Sequence, residues 1–230
     1  MSIEPTLATV SVVDPDPSGR MALEPLITRC GWRPEFFACA AELLAAPRAP
    51  APGCLLLDLH LPGMGSLELH SLLAQRHELS LIFTTDRIDI PAIVSAMKAG
   101  AVDVLTKPLH EEAVANTIAA ALEHSRQRMR HQAQIEQVRE RYATLSSRER
   151  QVMALVVSGW MNKQVSGRLN ISVITVKAHR GRMMRKMAAS SLAQLVHYAN
   201  ELHIARISPR SGSTSIPVGL SAEGRGIGVL

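Results

Sequence analysis

The chain has little of what would tie it to a secreted, metal-stapled or membrane-borne setting. Its three cysteines, Cys30, Cys39 and Cys54, have no short paired spacing and no clustered histidines beside them. That argues against a disulfide framework or a zinc module and fits a reducing compartment. The first residues, MSIEPTLATV, lack a basic segment followed by a long apolar run. Nor does any stretch approach the roughly 20 consecutive apolar residues that span a bilayer. A soluble, unexported, cytoplasmic protein with no membrane partner is the expectation. Neither GxxxxGK[ST] nor GxGxxG occurs, so the backbone cradles that hold nucleotide phosphates are missing. A nucleotide-using phosphotransferase is disfavoured, and no enzymatic turnover is expected.

Acidic residues are scarce in the second half. Residues 126–230 hold 5 Asp/Glu against 17 Lys/Arg, whereas residues 1–125 hold 15 against 8. At 230 residues the chain is comfortable for two domains, each able to bury a core. An acidic front joined to a basic back suggests a nucleic-acid module behind and a cation-handling site in front. A merely solvated basic surface is the plainer alternative.

In the first half, apolar runs at residues 7–13, 54–57, 81–85 and 102–105 alternate with helical segments near 20–30, 66–75, 91–99 and from 109 onward. A weaker strand at 34–37 precedes a short helix at 41–45. Alternation of this kind predicts an α/β fold, a doubly wound parallel sheet of about five strands with helices on both faces. In such sheets the site lies beyond the carboxyl ends of the strands, where strand order reverses. Asp14, Asp58, Thr85 and Lys107 all fall at strand ends. Any one of them could be an ordinary turn residue. Together they supply oxygen ligands for a hard divalent cation, a carboxylate nucleophile for phosphorus, a hydroxyl donor and a cationic partner for a phosphoryl group.

In the second half, residues 162–187 read NKQVSGRLNISVITVKAHRGRMMRKM, two short helices around a polar turn. Asn162 is expected to cap the first helix, Asn170 and Ser172 to make the turn, and Val173 to open the second. Val173, Val176, Met183 and Met187 would pack, leaving Ile174, Lys177, Ala178, Gly181 and Arg185 on the open face. This is a helix-turn-helix shaped for the major groove. Lys177 and Arg185 can reach base edges or phosphates, and Ala178 and Gly181 permit close approach. Lys163, Thr175, Arg182 and Lys186 are assigned to phosphates, with His179 and Arg180 nearer the packed side. Residues 144–205 carry 9 Lys/Arg against 2 Asp/Glu, so the group as a whole favours a polyanion.

LLLDLHLPGM around Asp58, Thr85 at its strand end, IPAIVSAMKAGAVD and Lys107-Pro108 resemble the receiver domain of bacterial response regulators. The stretch from Leu145 through Met187, with Glu149, Gly159, Lys163, Thr175, Val176, Lys177, His179 and Lys186 in place, resembles the LuxR-type DNA-binding domain. Over about residues 7–205 the chain is similar to the NarL/FixJ class. The resemblance implies an α/β receiver followed by an all-α, four-helix helix-turn-helix domain. It implies that Asp58 accepts a phosphoryl group from a sensor histidine kinase, that Lys107 pairs with it and that Thr85 moves to bond it. It also implies Mg²⁺ held by Asp14, Asp58 and the backbone carbonyl of His60, a cis Lys107-Pro108 bond, and a homodimer on double-stranded DNA.

Three positions depart from the family's pattern. Two adjacent acids usually follow the first strand, but Pro15 separates Asp14 from Asp16 and brings no oxygen ligand. Mg²⁺ binding is therefore expected to be weak unless Asp16 swings in. Asp86 stands where a small residue usually follows the threonine, and Val104 where an aromatic usually follows its motion. These favour, as an alternative, a receiver used as a phosphorylation-independent dimerisation or interaction module.

The expected division is a receiver at 1–123, a helical linker at 124–143, a DNA-binding domain at 144–205 and a disordered tail at 206–230. In the linker, Ile135, Val138, Tyr142 and Leu145 form a short apolar seam, suited either to a coiled coil or to packing on its own domain. The tail is rich in Gly, Ser and Pro and has no lasting periodicity.

Overall fold

The computed structural model describes residues 8–47, 51–63, 65–73, 76, 78–204 and 207. The expected strand start at residue 7, the end of the third helix at 74–75 and most of the tail, 208–230, lie outside the described residues. The chain divides into two units, Met1–Gln132 and Ala133–Leu230.

The first unit alternates β1 (Thr9–Val13), α1 (Pro17–Arg29), β2 (Arg33–Phe37), α2 (Ala40–Ala45), β3 (Gly53–Asp58), α3 (Ser66–Leu73), β4 (Leu79–Thr85), α4 (Ile90–Lys98) and β5 (Asp103–Thr106). The helix α5 (Glu111–Ala143) follows and runs past the division between the units. The five strands are parallel in the order β2-β1-β3-β4-β5. Strand side chains alternate between faces. Val10, Val12, Cys54, Leu56 and Ile82 pack against α1 and against Val114, Ile118, Ala121 and Leu122 of α5. Val13, Leu55, Leu57, Leu81 and Phe83 pack against α2, α3 and α4. Both faces are covered, which is why β3 reads as an unbroken apolar run. Each fully buried leucine of β3 contributes roughly 1.5–3 kcal/mol of transfer free energy.

Helix α1 begins three residues before the sequence signal. Asp16 caps it, accepting from the Ser18 amide at 3.0 Å and the Ser18 hydroxyl at 2.8 Å. Pro17 fills the first position, where a missing N–H is no loss.

The second unit holds the end of α5, then α6 (Ser147–Val157), α7 (Asn162–Leu169), α8 (Val173–Lys186) and α9 (Leu192–Glu201). Helix α6 is its centre, with Val152, Met153, Leu155 and Val156 almost wholly buried. Val138 and Leu145 of the linker seam enter this same core, with Tyr142 packed against it. Of the two fates open to that seam, these residues take packing on their own domain.

Three local expectations are corrected. Asn162 is the first helical residue of α7 rather than its cap, and the cap is Met161, whose amide donates to Gln164 Oε1 at 2.8 Å. Val173, expected to pack, is 37% exposed, and Leu192, the first residue of α9, is 41% exposed. Each opens its helix, and a Cβ there tilts back past the packed stripe. Ile207, placed in the tail from the sequence, is also tied to the second unit. The Ile207 amide donates to Ser158 Oγ at 2.8 Å, and its carbonyl accepts from the Trp160 indole at 3.2 Å. A half-buried indole N–H needs such a partner.

Candidate functional site

Strand order reverses between β1 and β3, where Asp14 directly follows β1 and Asp58 ends β3. Both are buried, at 3% and 7% exposure. Lys107, just after β5, reaches across and donates through Nζ to Asp14 Oδ2 at 2.7 Å and Asp58 Oδ2 at 2.5 Å. The topology thus converges residues 49 and 93 positions apart on one ammonium. Burial opposes the charge on Lys107, but its hydrogen bonds to the two carboxylates and their charges prevail, holding its pKa above the ordinary lysine value. The Lys107-Pro108 peptide is cis, as expected.

The second oxygen of each carboxylate is also engaged. Asp14 Oδ1 accepts from the Asp16 amide at 2.8 Å, and Asp58 Oδ1 from the His60 amide at 2.8 Å. The Arg20 guanidinium donates to the carbonyl of Asp14. Asp16 is held by α1, and the Ser18 hydrogen bonds keep its carboxyl below the usual range. A Cβ at Gly19 would lie 3.0 Å from Asp14 Oδ2 and 3.7 Å from Asp16 Oδ2. A glycine there leaves room beside both carboxylates. Arg20 and Gly19 escaped the sequence reading because nothing in their spacing marks them.

Thr85 is fully buried, and its hydroxyl is occupied in the β4–α4 loop. It donates to the Arg87 carbonyl at 2.9 Å and accepts from the Arg87 amide at 3.2 Å. His60 Nδ1 lies 3.5 Å from that hydroxyl and 3.7 Å from Asp86 Oδ1. Asp86 is 62% exposed and also faces the Arg87 guanidinium, so its carboxylate lies toward solvent. Val104 packs against the core under α4.

These residues suit a hard dication by their chemistry, since two buried carboxylates and a carbonyl are oxygen donors beside a glycine that leaves space. Among the described residues no three His, Cys, Asp or Glu side chains gather to enclose a metal. Backbone and water would have to supply the remaining ligands.

In the second unit, Asn170 ends α7 in the left-handed conformation at φ 50°. Asparagine tolerates that region, whereas a β-branched residue would be strained. Ser172 caps α8, accepting from the Thr175 amide at 3.0 Å, and its hydroxyl lies 2.8 Å from the Thr175 hydroxyl. Lys177, Ala178, Gly181 and Arg185, expected on the open face of α8, are exposed, as is Lys163 on α7. Arg180 lies on the packed side, donating to Asn162 Oδ1 at 3.1 Å and tying α8 to α7.

Arg182 and Lys186, assigned to phosphates from the sequence, also have partners within the unit. Lys186 Nζ donates to Glu149 Oε2 at 2.7 Å and to the Thr144 carbonyl at 3.0 Å. Arg182 Nε lies 3.7 Å from Glu149 Oε1, and its guanidinium 3.2 Å from His179 Nδ1. Glu149 is 3% exposed and closes a capping box with Ser146 at the start of α6. Burial pushes its pKa up, but the Lys186 and Ser146 hydrogen bonds outweigh this and leave it below the usual range. The S-x-x-E spacing of Ser146 and Glu149 marks the box in the sequence. The lysine partner lies 37 residues on and carries no such mark.

Comparisons agree with both halves. Residues 10–119 match the response regulator receiver domain, and residues 143–199 match the bacterial regulatory proteins of the luxR family. Nodulation protein W of Bradyrhizobium diazoefficiens is 40% identical, the match covering 86% of this chain and 88% of that protein. The response regulator protein TodT of Pseudomonas putida is 38% identical over 85% of this chain and 86% of that one. The solved structure of the response regulator StyR superposes with a TM-score of 0.68 at 38% identity, covering 85% of this chain and all of that one. Full-length FixJ from B. japonicum gives 0.51 at 32% identity, covering 86% and 98%. The chain belongs to the NarL/FixJ class of response regulators, DNA-binding transcriptional regulators that join a receiver domain to a LuxR-type helix-turn-helix.

Proposed function

We propose that Asp58 is the phosphoacceptor through which a sensor histidine kinase sets the DNA-binding activity of this regulator. The observation that carries the proposal is the Lys107 ammonium held between the buried carboxylates of Asp14 and Asp58. An Asp58 oxygen attacks the phosphorus of a kinase phosphohistidine, the P–O bond forms, the P–N bond breaks, and the electron pair leaves on the imidazole. Lys107 is already placed to follow the charge outward onto the new phosphoryl oxygens. Thr85 must give up its bond to the Arg87 carbonyl to donate to them, and that rearranges the β4–α4 loop.

Receivers of this family generally bind Mg²⁺ at the phosphorylation site. Here Asp14, Asp58 and the His60 carbonyl would hold it, and when bound it offsets the negative charge of acceptor and phosphoryl group. Asp16 would join only by releasing the N-terminus of α1, and Lys107 competes for the same carboxylates, so weak binding is expected. The helix-turn-helix binds double-stranded DNA through Lys163, Lys177, Ala178, Gly181 and Arg185, with Thr175, Arg182 and Lys186 bracing α8 as well as lying near phosphates. Ile90, Val94 and Met97 form an exposed apolar line along α4 that suits a homodimer contact. The receiver occupies 1–123 and the linker 124–143. Among the described residues no helix is long and apolar enough to cross a membrane.

Incubating the full chain with acetyl phosphate and Mg²⁺ should add one phosphoryl mass to the wild type and none to Asp58→Asn, and should shift DNA affinity only in the wild type. An equal mass gain in both proteins would move the acceptor elsewhere. A wild type that gains nothing and binds DNA unaided would make the receiver a phosphorylation-independent module.

A further inference from the structure

We infer that Ile174 reads a thymine in the operator by packing its side chain against the C5-methyl group in the major groove. The inference rests on α8 being the helix that enters that groove.

Ile174 is 80% exposed, in the first turn of α8, beside the Ser172 cap. Residues in the first turn of a recognition helix lie nearest the base edges. The side chain carries no charge and no polar atom, so it offers a phosphate nothing. Its methyl groups gain only by meeting another apolar surface, and nothing within the described chain covers it. The thymine methyl is the apolar group that the edges of the four base pairs present in the major groove. A β-branched residue in a helix is nearly confined to one χ1 rotamer, so little side-chain freedom is lost on contact.

A second observation shows the same face made for close approach. Ala178 and Gly181 follow Ile174 at i+4 and i+7, on one line along α8, and both are exposed. Gly181 lies inside the helix with ordinary negative φ, and a Cβ built there would meet nothing within 4 Å. A glycine in that position weakens a helix by roughly 0.5–1 kcal/mol relative to alanine, and neither backbone nor packing requires it. Its place on the line below Ile174 fits a surface that something outside the chain must approach. Lys177 and Arg185 flank the line with positive charge, matching a polyanion rather than an apolar protein groove.

The test uses the full-length protein with Mg²⁺ and acetyl phosphate at fixed ionic strength. Duplexes are selected from a random-sequence pool by the wild type. The best sequence is resynthesised with deoxyuridine replacing each thymine in turn, which removes the methyl and keeps the pairing. Binding is read by fluorescence anisotropy for wild type, Ile174→Ser and Ile174→Val. One thymine per bound copy should weaken the wild type about fourfold when its methyl is removed, the worth of one buried carbon group. Ile174→Ser should lose about the same factor on the parent duplex and show no further loss at that thymine, while Ile174→Val keeps most of the preference. Unchanged circular dichroism and melting temperature would show that the exposed substitution leaves the fold intact. The inference is overturned if Ile174→Ser binds the parent duplex as tightly as wild type, which would leave the side chain to a protein partner. It is also overturned if every thymine replacement weakens Ile174→Ser by the same factor as wild type. Failure to enrich any sequence would overturn the DNA-reading role of α8 itself.

Discussion

Glu149 shows how one side chain can serve two ends of a domain. It closes the capping box of α6 and receives Lys186 from the last turn of α8. Without it, Lys186 and the Ser146 amide would lose a charged partner on the edge of the core. Glu149→Gln is expected to destabilise the C-terminal unit by roughly 1.5–3 kcal/mol, the range for hydrogen bonds to a charged group. The pH dependence follows from the direction of its shift. The folded pKa lies below the unfolded value, so the stabilisation is complete above the unfolded pKa of about 4.3 and is lost as pH falls through the depressed folded value. Calorimetry of wild type and Glu149→Gln should show a gap in melting temperature that is constant near neutrality and closes in acid. A gap independent of pH would mean that the carboxylate charge is not what Lys186 recognises. At Lys107 the sign is opposite. Its raised pKa contributes stability that is present below the ordinary lysine pKa and is lost as pH rises through the raised folded value, so Lys107 is charged beside Asp14 and Asp58 at neutrality.

At the scale of the element, α8 depends on a cap more than on propensity. Its sequence contains Val173, Ile174, Thr175 and Val176 in the first turn and Gly181 in the middle, all poor or indifferent helix formers. The Ser172 hydroxyl satisfies the Thr175 amide at 3.0 Å and meets the Thr175 hydroxyl at 2.8 Å. Ser172→Ala should therefore cost about 1 kcal/mol in thermal unfolding. It should also weaken DNA binding by more than the loss of one hydroxyl contact, because the first turn that presents Ile174 and Lys177 would fray. An unchanged melting temperature would show that tertiary packing through Val176, Met183 and Met187 holds the turn without its cap. Helix α1 follows the same rule, and there the cap has a second consequence. Asp16 is the nearest substitute for the acid missing at Pro15, yet its carboxylate is committed to Ser18. To serve the proposed cation site, Asp16 would have to leave the start of its helix.

Over the whole molecule, the acidic first half carries the receiver domain and the basic second half the LuxR-type DNA-binding domain. Each Lys or Arg that touches a phosphate steepens the log-log salt dependence of binding by about 0.9. Lys163 and Arg185 are exposed, whereas Lys186 is drawn in to Glu149. Lys163→Ala and Arg185→Ala should each flatten the salt slope by about 0.9 with little change in stability. Lys186→Ala should flatten it less and lower the melting temperature. The reverse order, measured by anisotropy titrations across salt concentrations, would show that Lys186 leaves Glu149 when DNA arrives.

The local elements were legible in the residues themselves. Alternation and apolar runs mark β1, β3 and β4, Asn170 and Ser172 mark the turn before α8, and LLLDLHLPGM with Lys107-Pro108 marks the receiver. These signals depend on neighbours a few residues apart, which is the range over which periodicity, capping and turn chemistry act. What the tertiary structure alone decided lies at longer range. It brought Lys107 between two carboxylates at the ends of different strands, sent Val138 and Leu145 into the C-terminal core, and turned Lys186 from a free cation into the partner of Glu149. Long, flexible charged side chains reach whatever opposite charge the fold sets beside them, and that partner is fixed by packing rather than by spacing along the chain. The same reason explains Val173 and Leu192, apolar in a helical pattern yet exposed, because a helix end projects past the surface its middle turns bury.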